Sequence, residues 1–219
     1  MRLLLLTTVS WVLSLSVGIG QSISDAETEK SRHEQWMEDI EFFETEFVDQ
    51  ARTLSPESRI TSKAILEDLR GDIDSLSDIQ IHLELTRCVV LAEEGHTDIT
   101  VPKMGKIPMR FYHFSDGWYV IKTDSSSAGF LGGKVLSINS IPIDEIEQRL
   151  FPYLAGIESW KRYAMMLLLP APQLYYELGM GEEDSMTLEL MKDGQRLTAN
   201  MAARPMEESI RWYQAWANL

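Results

Sequence analysis

The sequence is poor in the side chains from which covalent cross-links and metal sites are built. Of its 219 residues one is cysteine, Cys88, and four are histidine. A lone thiol excludes an intrachain disulfide, and its position in an apolar helical pattern predicts a buried, inert side chain. There is no His-Glu-x-x-His, no His-x-His and no cysteine pair, so His82, His96 and His113 could form a zinc site only if the fold happened to converge them. The sequence therefore calls for no metal and no cofactor. Positive charge is also in deficit: 20 Lys and Arg stand against 34 Asp and Glu, a formal net charge of −14. A phosphate backbone or an anionic membrane surface would be repelled, and no Lys or Arg run is long enough to make a local exception, which argues against nucleic acid as a partner. Two catalytic signatures are missing as well. No Gly-x-Ser-x-Gly elbow is present, and "GFLGGK" lacks the Lys-Ser/Thr ending of a phosphate loop and precedes a strand instead of a helix.

What is present begins with "MRLLLLTTVSWVLSLSVGIGQS". One early cation, an uncharged apolar stretch and closing small residues make residues 1–20 a candidate secretory signal peptide, with a retained signal anchor as the alternative. The mature chain is then expected to be exported, with no membrane contact after cleavage. Residues 21–95 read as a helical segment. Trp36, Ile40, Phe43, Phe47 and Ala51 share one helix face; Ser55-Pro56 opens a second helix that Gly71 should end; a third begins near Ser77 and should close with Gly95 in the left-handed position. His96 follows directly.

Residues 96–203 read as a β-rich module with inserted helices. "TDITVP" and "IPMRFYHFSDGWYVIKTD" have strand character, the latter with a hairpin at Asp116-Gly117. A glycine-rich turn leads to a strand through Val135 and Ile138, an Asn139-Ser140 turn, and a helix whose Asp144 and Glu147 stand at capping-box spacing. Two helical stretches end near Pro170 and Gly179, and a second hairpin turns on Asp193-Gly194. Residues 204–219 form an amphipathic tail on which a partner chain could pack, with Ile210, Tyr213 and Trp216 on one side.

In serial order these pieces, a helical segment, Gly-His-Thr, "IPMRFYHFSDGWYV", "LGGKVLSINSIPIDEIEQRLFPYL", then "ESW" and "LGM", resemble the N-terminal half of the tail-specific protease family. The match is to its Gly-His-Thr branch, allied to tricorn-type peptidases and to the interphotoreceptor retinoid-binding repeats. The resemblance covers about residues 33–203 and implies an α+β fold: a helical cap followed by a small PDZ-like β/α module, with the family's catalytic α/β segment expected to be absent. It places His96 where that branch keeps a general base, but the nucleophilic serine belongs to the later segment, and Ser125–Ser127 are the only local serines to inspect. It also makes Gly129, Phe130, Leu131 and Gly132 candidates for peptide binding, through backbone N–H groups that receive a carboxylate and an edge strand that pairs with the ligand. The implied function is a peptide-binding or unfolded-segment-binding protein that is not catalytic alone. The alternatives are an active serine-type endopeptidase using His96 with an unidentified or partner-supplied serine, and a non-enzymatic interaction protein.

Overall fold

The computed structural model describes residues 30–214 apart from 96, 98, 100, 101 and 102. From Ser31 onward the described residues belong to one compact unit. Its class is α+β, with helices first and an antiparallel sheet after them. The proposed signal peptide lies outside the described residues, among which no helix is long and apolar enough to cross a membrane.

Three helices come first. Helix α1 (Arg32–Phe43) is opened by a capping box in which Ser31 and Glu34 exchange bonds, and a π-helical turn at Glu44–Val48 continues it. The predicted stripe is the inward face: Ile40 is fully buried, with Trp36, Phe43, Phe47 and Ala51 packed beside it. Helix α2 (Pro56–Asp72) starts as expected, with Ser55 as N-cap and proline in the first turn. Gly71 does not end it, since the helix runs on to Asp72 and Ile73 then plugs the core at 1% exposure. Helix α3 (Asp78–Val90) has a capping box of Ser77 and Gln80. Two of its faces are apolar, and each meets a different core. Ile79 and Leu83 join the core beneath the sheet, while Ile81, Leu85 and Cys88 join the core shared by the three helices. A helix apolar on both sides must be buried between two layers. Cys88 has no exposed surface, and burial pushes its thiol up to about 12.

Helix α3 does not exit as the sequence suggested. The residue with left-handed φ is Glu93 (56°), and Gly95 has a different task. A Cβ on Gly95 would stand 3.0 Å from Trp160 Cδ1, so the glycine is there to let an indole lie against the backbone.

Strands β1 (Met109–Phe114) and β2 (Gly117–Thr123) form the first hairpin, with Phe114 opposite Gly117. After a 3₁₀ turn (Ser125–Phe130) come β3 (Lys134–Ile138), the short β4 (Ile141–Pro142) and helix α4 (Ile143–Leu150). Asn139 and Ser140 both take positive φ, 50° and 65°, as a two-residue hairpin turn demands. A short 3₁₀ turn (Phe151–Tyr153), then α5 (Glu158–Leu168) and α6 (Pro172–Glu177), lead to the second hairpin, β5 (Ser185–Lys192) and β6 (Gln195–Ala202), which turns on Asp193-Gly194 as predicted. Helix α7 (Met206–Gln214) follows. The sheet order is β1-β2-β3-β5-β6, with β4 paired to β3 and every pair antiparallel. Of the predicted "TDITVP" strand only Thr97 and Ile99 are described, and neither is in a strand.

The capping box expected in α4 does not form. Pro142 occupies the N-cap with no side-chain bond. Glu147 accepts instead from the Trp118 indole at 2.8 Å and from Arg162 Nε at 3.2 Å. A carboxylate that reaches a buried indole N–H gains more there than at a helix end already open to water.

Candidate functional site

His96 lies outside the described residues. Its neighbours are ordered: Thr97 donates from its backbone to Glu94 O (3.2 Å) and from its hydroxyl to Glu94 Oε2 (3.0 Å), while Gly95 carries the Trp160 ring. Among the described residues no hydrogen bond joins a histidine ring to a serine hydroxyl. Among the described residues His33 contacts Asp74, His82 the Asp78 carbonyl and His113 Glu147. Two of the inspected serines have other partners. Ser126 donates to Asp124 Oδ1, and Ser127 is buried with its hydroxyl 3.7 Å from Met201 Sδ. No three His, Cys, Asp or Glu side chains come together as metal ligands among the described residues.

The segment Gly129–Gly132 closes the 3₁₀ turn that Asp124 caps. Two of its backbone donors, and that of the residue after it, are committed. Leu131 N bonds Ala128 O (3.2 Å), Gly132 N bonds Val120 O (2.9 Å) and Gly133 N bonds Phe130 O (2.9 Å). Lys192 Nζ takes the Gly129 carbonyl at 2.8 Å. What this loop presents outward is the side chain of Leu131, 47% exposed. Its bonds tie it to β2 and to the far hairpin, whereas the edge of the sheet opposite β6 is on the other side of β2.

That edge is β1, whose one strand neighbour among the described residues is β2. Helix α5 packs against β1, and two clefts lie along the seam. One, about 290 Å³, is lined by Arg110, Phe111, Tyr112, Ile121, Tyr163 and Leu167 with Met166. The other, about 220 Å³, adds His113, Ser159 and Arg162. Tyr112 and Tyr163 border both and are 44% and 56% exposed, a large aromatic surface to leave in water. Tyr112 also packs against Phe114, their rings tilted and their centroids 4.8 Å apart.

The polar end of the seam is organised by Glu147, whose side chain is 13% exposed and lies 4.0 Å from His113 Nε2. Burial, followed by the Arg162 charge, holds the His113 imidazole below its ordinary value against the pull of Glu147. This favours the neutral imidazole, which can donate one hydrogen bond and accept another. At the other end Lys106 Nζ donates to Leu167 O at 2.7 Å, and burial, with Arg110 adding to it, pushes this ammonium down to about 8. Sequence reasoning missed the seam altogether. The one signal available was the alternation that puts Tyr112 and Phe114 on the face opposite buried Phe111, without a polar residue at either place.

No protein-family model and no curated protein sequence matches the chain. In fold it is similar to CPAF, a tail-specific protease-like serine protease of Chlamydia. Against mature CPAF complexed with lactacystin the TM-score is 0.57 at 14% identity, covering 78% of this chain and 35% of that one. Against a serine-to-alanine mutant of CPAF it is 0.55 at 12% identity, covering 85% and 39%. Against mature CPAF alone it is 0.50 at 13% identity, covering 79% and 35%. At such identities the likeness is one of fold, and the chain spans little more than a third of the length of those proteins.

Proposed function

We propose that this chain is an exported, peptide-binding module of the tail-specific protease type, which takes up an extended polypeptide along the seam between β1 and α5 without cleaving it alone. The observation that carries the reading is the edge strand β1 with two clefts between it and α5. An extended ligand would add a strand to β1 through main-chain bonds, and its alternate side chains would enter the clefts. The likeness in fold to CPAF, a protease, supports a polypeptide as the ligand. The PDZ-like character of the β-rich part belongs to this proposal. So does the peptide role of Gly129–Gly132, which the committed N–H groups narrow to a contact through Leu131.

Titration calorimetry with a library of peptides bearing free C termini tests it. Binding that Tyr163→Ala weakens, and that N-methylation of alternate peptide residues abolishes, is the expected result. No measurable affinity at millimolar concentration removes the reading.

A further inference from the structure

The opposite flank of α5 carries a second kind of cavity. It measures about 290 Å³ and is walled by Leu83 and Thr86 of α3, Leu150 and Tyr153 at and after the end of α4, and Trp160 and Ala164 of α5. No charged residue is among its described lining residues. Of its hydroxyl side chains, Thr86 is bonded to the His82 carbonyl at 2.8 Å and Thr97 to Glu94 at 3.0 Å, and Tyr153, whose phenol is pushed up by burial, is neutral. A charged ligand would lose its water and find no opposite charge among the described walls.

The mouth is built, not merely left open. Trp160 is held on two glycines: a Cβ on Gly95 would come 3.0 Å from its Cδ1, and one on Gly156 would come 3.1 Å from the same atom. On its other side the ring stacks with Tyr163, centroids 5.3 Å apart and planes 28° apart. A large aromatic side chain, 40% exposed, is thereby fixed beside an apolar hollow before any ligand arrives.

We propose that this cavity is a binding site for an uncharged hydrocarbon group of roughly bicyclic size, since an apolar cavity of about half the volume already holds benzene. The group comes either as a free molecule or as a side chain of a bound polypeptide. The site stands whether or not peptide pairs with β1, because the cavity shares only Leu167 with the clefts on that flank.

The test compares two fluorophores with one skeleton. N-phenyl-1-naphthylamine is neutral, and 8-anilinonaphthalene-1-sulfonate carries a sulfonate on nearly the same rings. The neutral probe should bind the full chain saturably and at least about tenfold more tightly than the sulfonate, a ratio set by the desolvation of the charge. Trp160→Ala should weaken it by about tenfold, the loss of one aromatic wall, and Ala164→Phe, which fills the hollow, should abolish it. Trp160→Ala removes a partly exposed side chain, so it keeps the test valid if the filled variant does not fold. Displacement of the probe by free 2-methylnaphthalene alone identifies a small-molecule site, and displacement by a naphthylalanine peptide as well identifies a side-chain pocket. Equal affinity for both fluorophores, or neutral-probe binding unchanged in Trp160→Ala and in folded Ala164→Phe, overturns the proposal. Loss of peptide affinity in Tyr112→Ala, a residue that borders both clefts and not the hollow, with probe binding retained would separate the two sites.

Discussion

The indole Nε1–H of Trp118, a residue 1% exposed in β2, donates to Oε1 of Glu147 on α4 at 2.8 Å. The bond ties the first hairpin to the helix beneath the sheet, and the same oxygen receives Arg162 of α5. Three elements that frame the β1–α5 seam therefore converge on one carboxylate.

Glu147→Ala should cost about 1–3 kcal/mol, because it leaves a buried indole donor without an acceptor. Glu147→Gln retains an amide oxygen and should recover most of that loss. The midpoint of urea unfolding measures both, and an unchanged slope would show that stability alone has moved.

The turn after β3 sets two effects against each other. Asn139 Oδ1 accepts from Thr187 N at 2.9 Å and Nδ2 donates to Met180 O at 3.1 Å, while its φ is 50°. Glycine would ease the φ slightly but strand the Thr187 donor, so Asn139→Gly should destabilise by about 1–3 kcal/mol. Ser140, exposed at φ 65°, has no such bonds to lose. Ser140→Gly should stabilise by about 0.5–1 kcal/mol, the relief of left-handed strain less the added freedom of the unfolded chain. Thermal unfolding of the two variants should move in opposite directions.

Lys106 makes stability depend on alkaline pH. Its pKa falls from 10.5 in the unfolded chain to about 8 in the fold, chiefly by burial. Between those values the unfolded state binds the extra proton, so this contribution is fully present above the unfolded value and is lost as pH falls through about 8. Stability should rise with pH from about 8 to about 9 in the natural sequence and level off above that, where the Cys88 thiol, raised from 9.0 to about 12, ionises first in the unfolded chain and offsets Lys106; Lys106→Met should remove the rise. Urea midpoints taken across the window give the slope directly.

The catalytic alternative is decided by chemistry at serine. The non-catalytic reading expects a fluorophosphonate probe to leave the purified chain unlabelled, with His96→Ala indistinguishable from it. Efficient labelling that His96→Ala abolishes would replace the peptide-binding reading with a serine-type peptidase.

The local devices were legible because each depends on neighbours in sequence. Ser55-Pro56 announced α2, the spacing of Trp36, Ile40 and Phe43 announced the buried face of α1, and Asp193-Gly194 announced a hairpin, since caps, periodicity and left-handed turns are written within a few residues. Gly95 and Glu147 misled for the complementary reason. Each sat where a local rule supplied a use, as helix terminator or capping-box partner, and each is used by an aromatic ring distant in sequence, Trp160 and Trp118. The candidate site divides in the same way. Gly129–Gly132 was visible as a glycine cluster, yet whether its N–H groups are open depends on Val120, a partner in another strand. By itself the sequence determined the class of the fold, the order of helices and hairpins and the inertness of Cys88. Only the tertiary structure decided that β1 ends the described sheet beside α5 and that a hollow with no charge among its described walls lies on the other flank, because an edge and a cavity are properties of what packs against an element, not of its own residues.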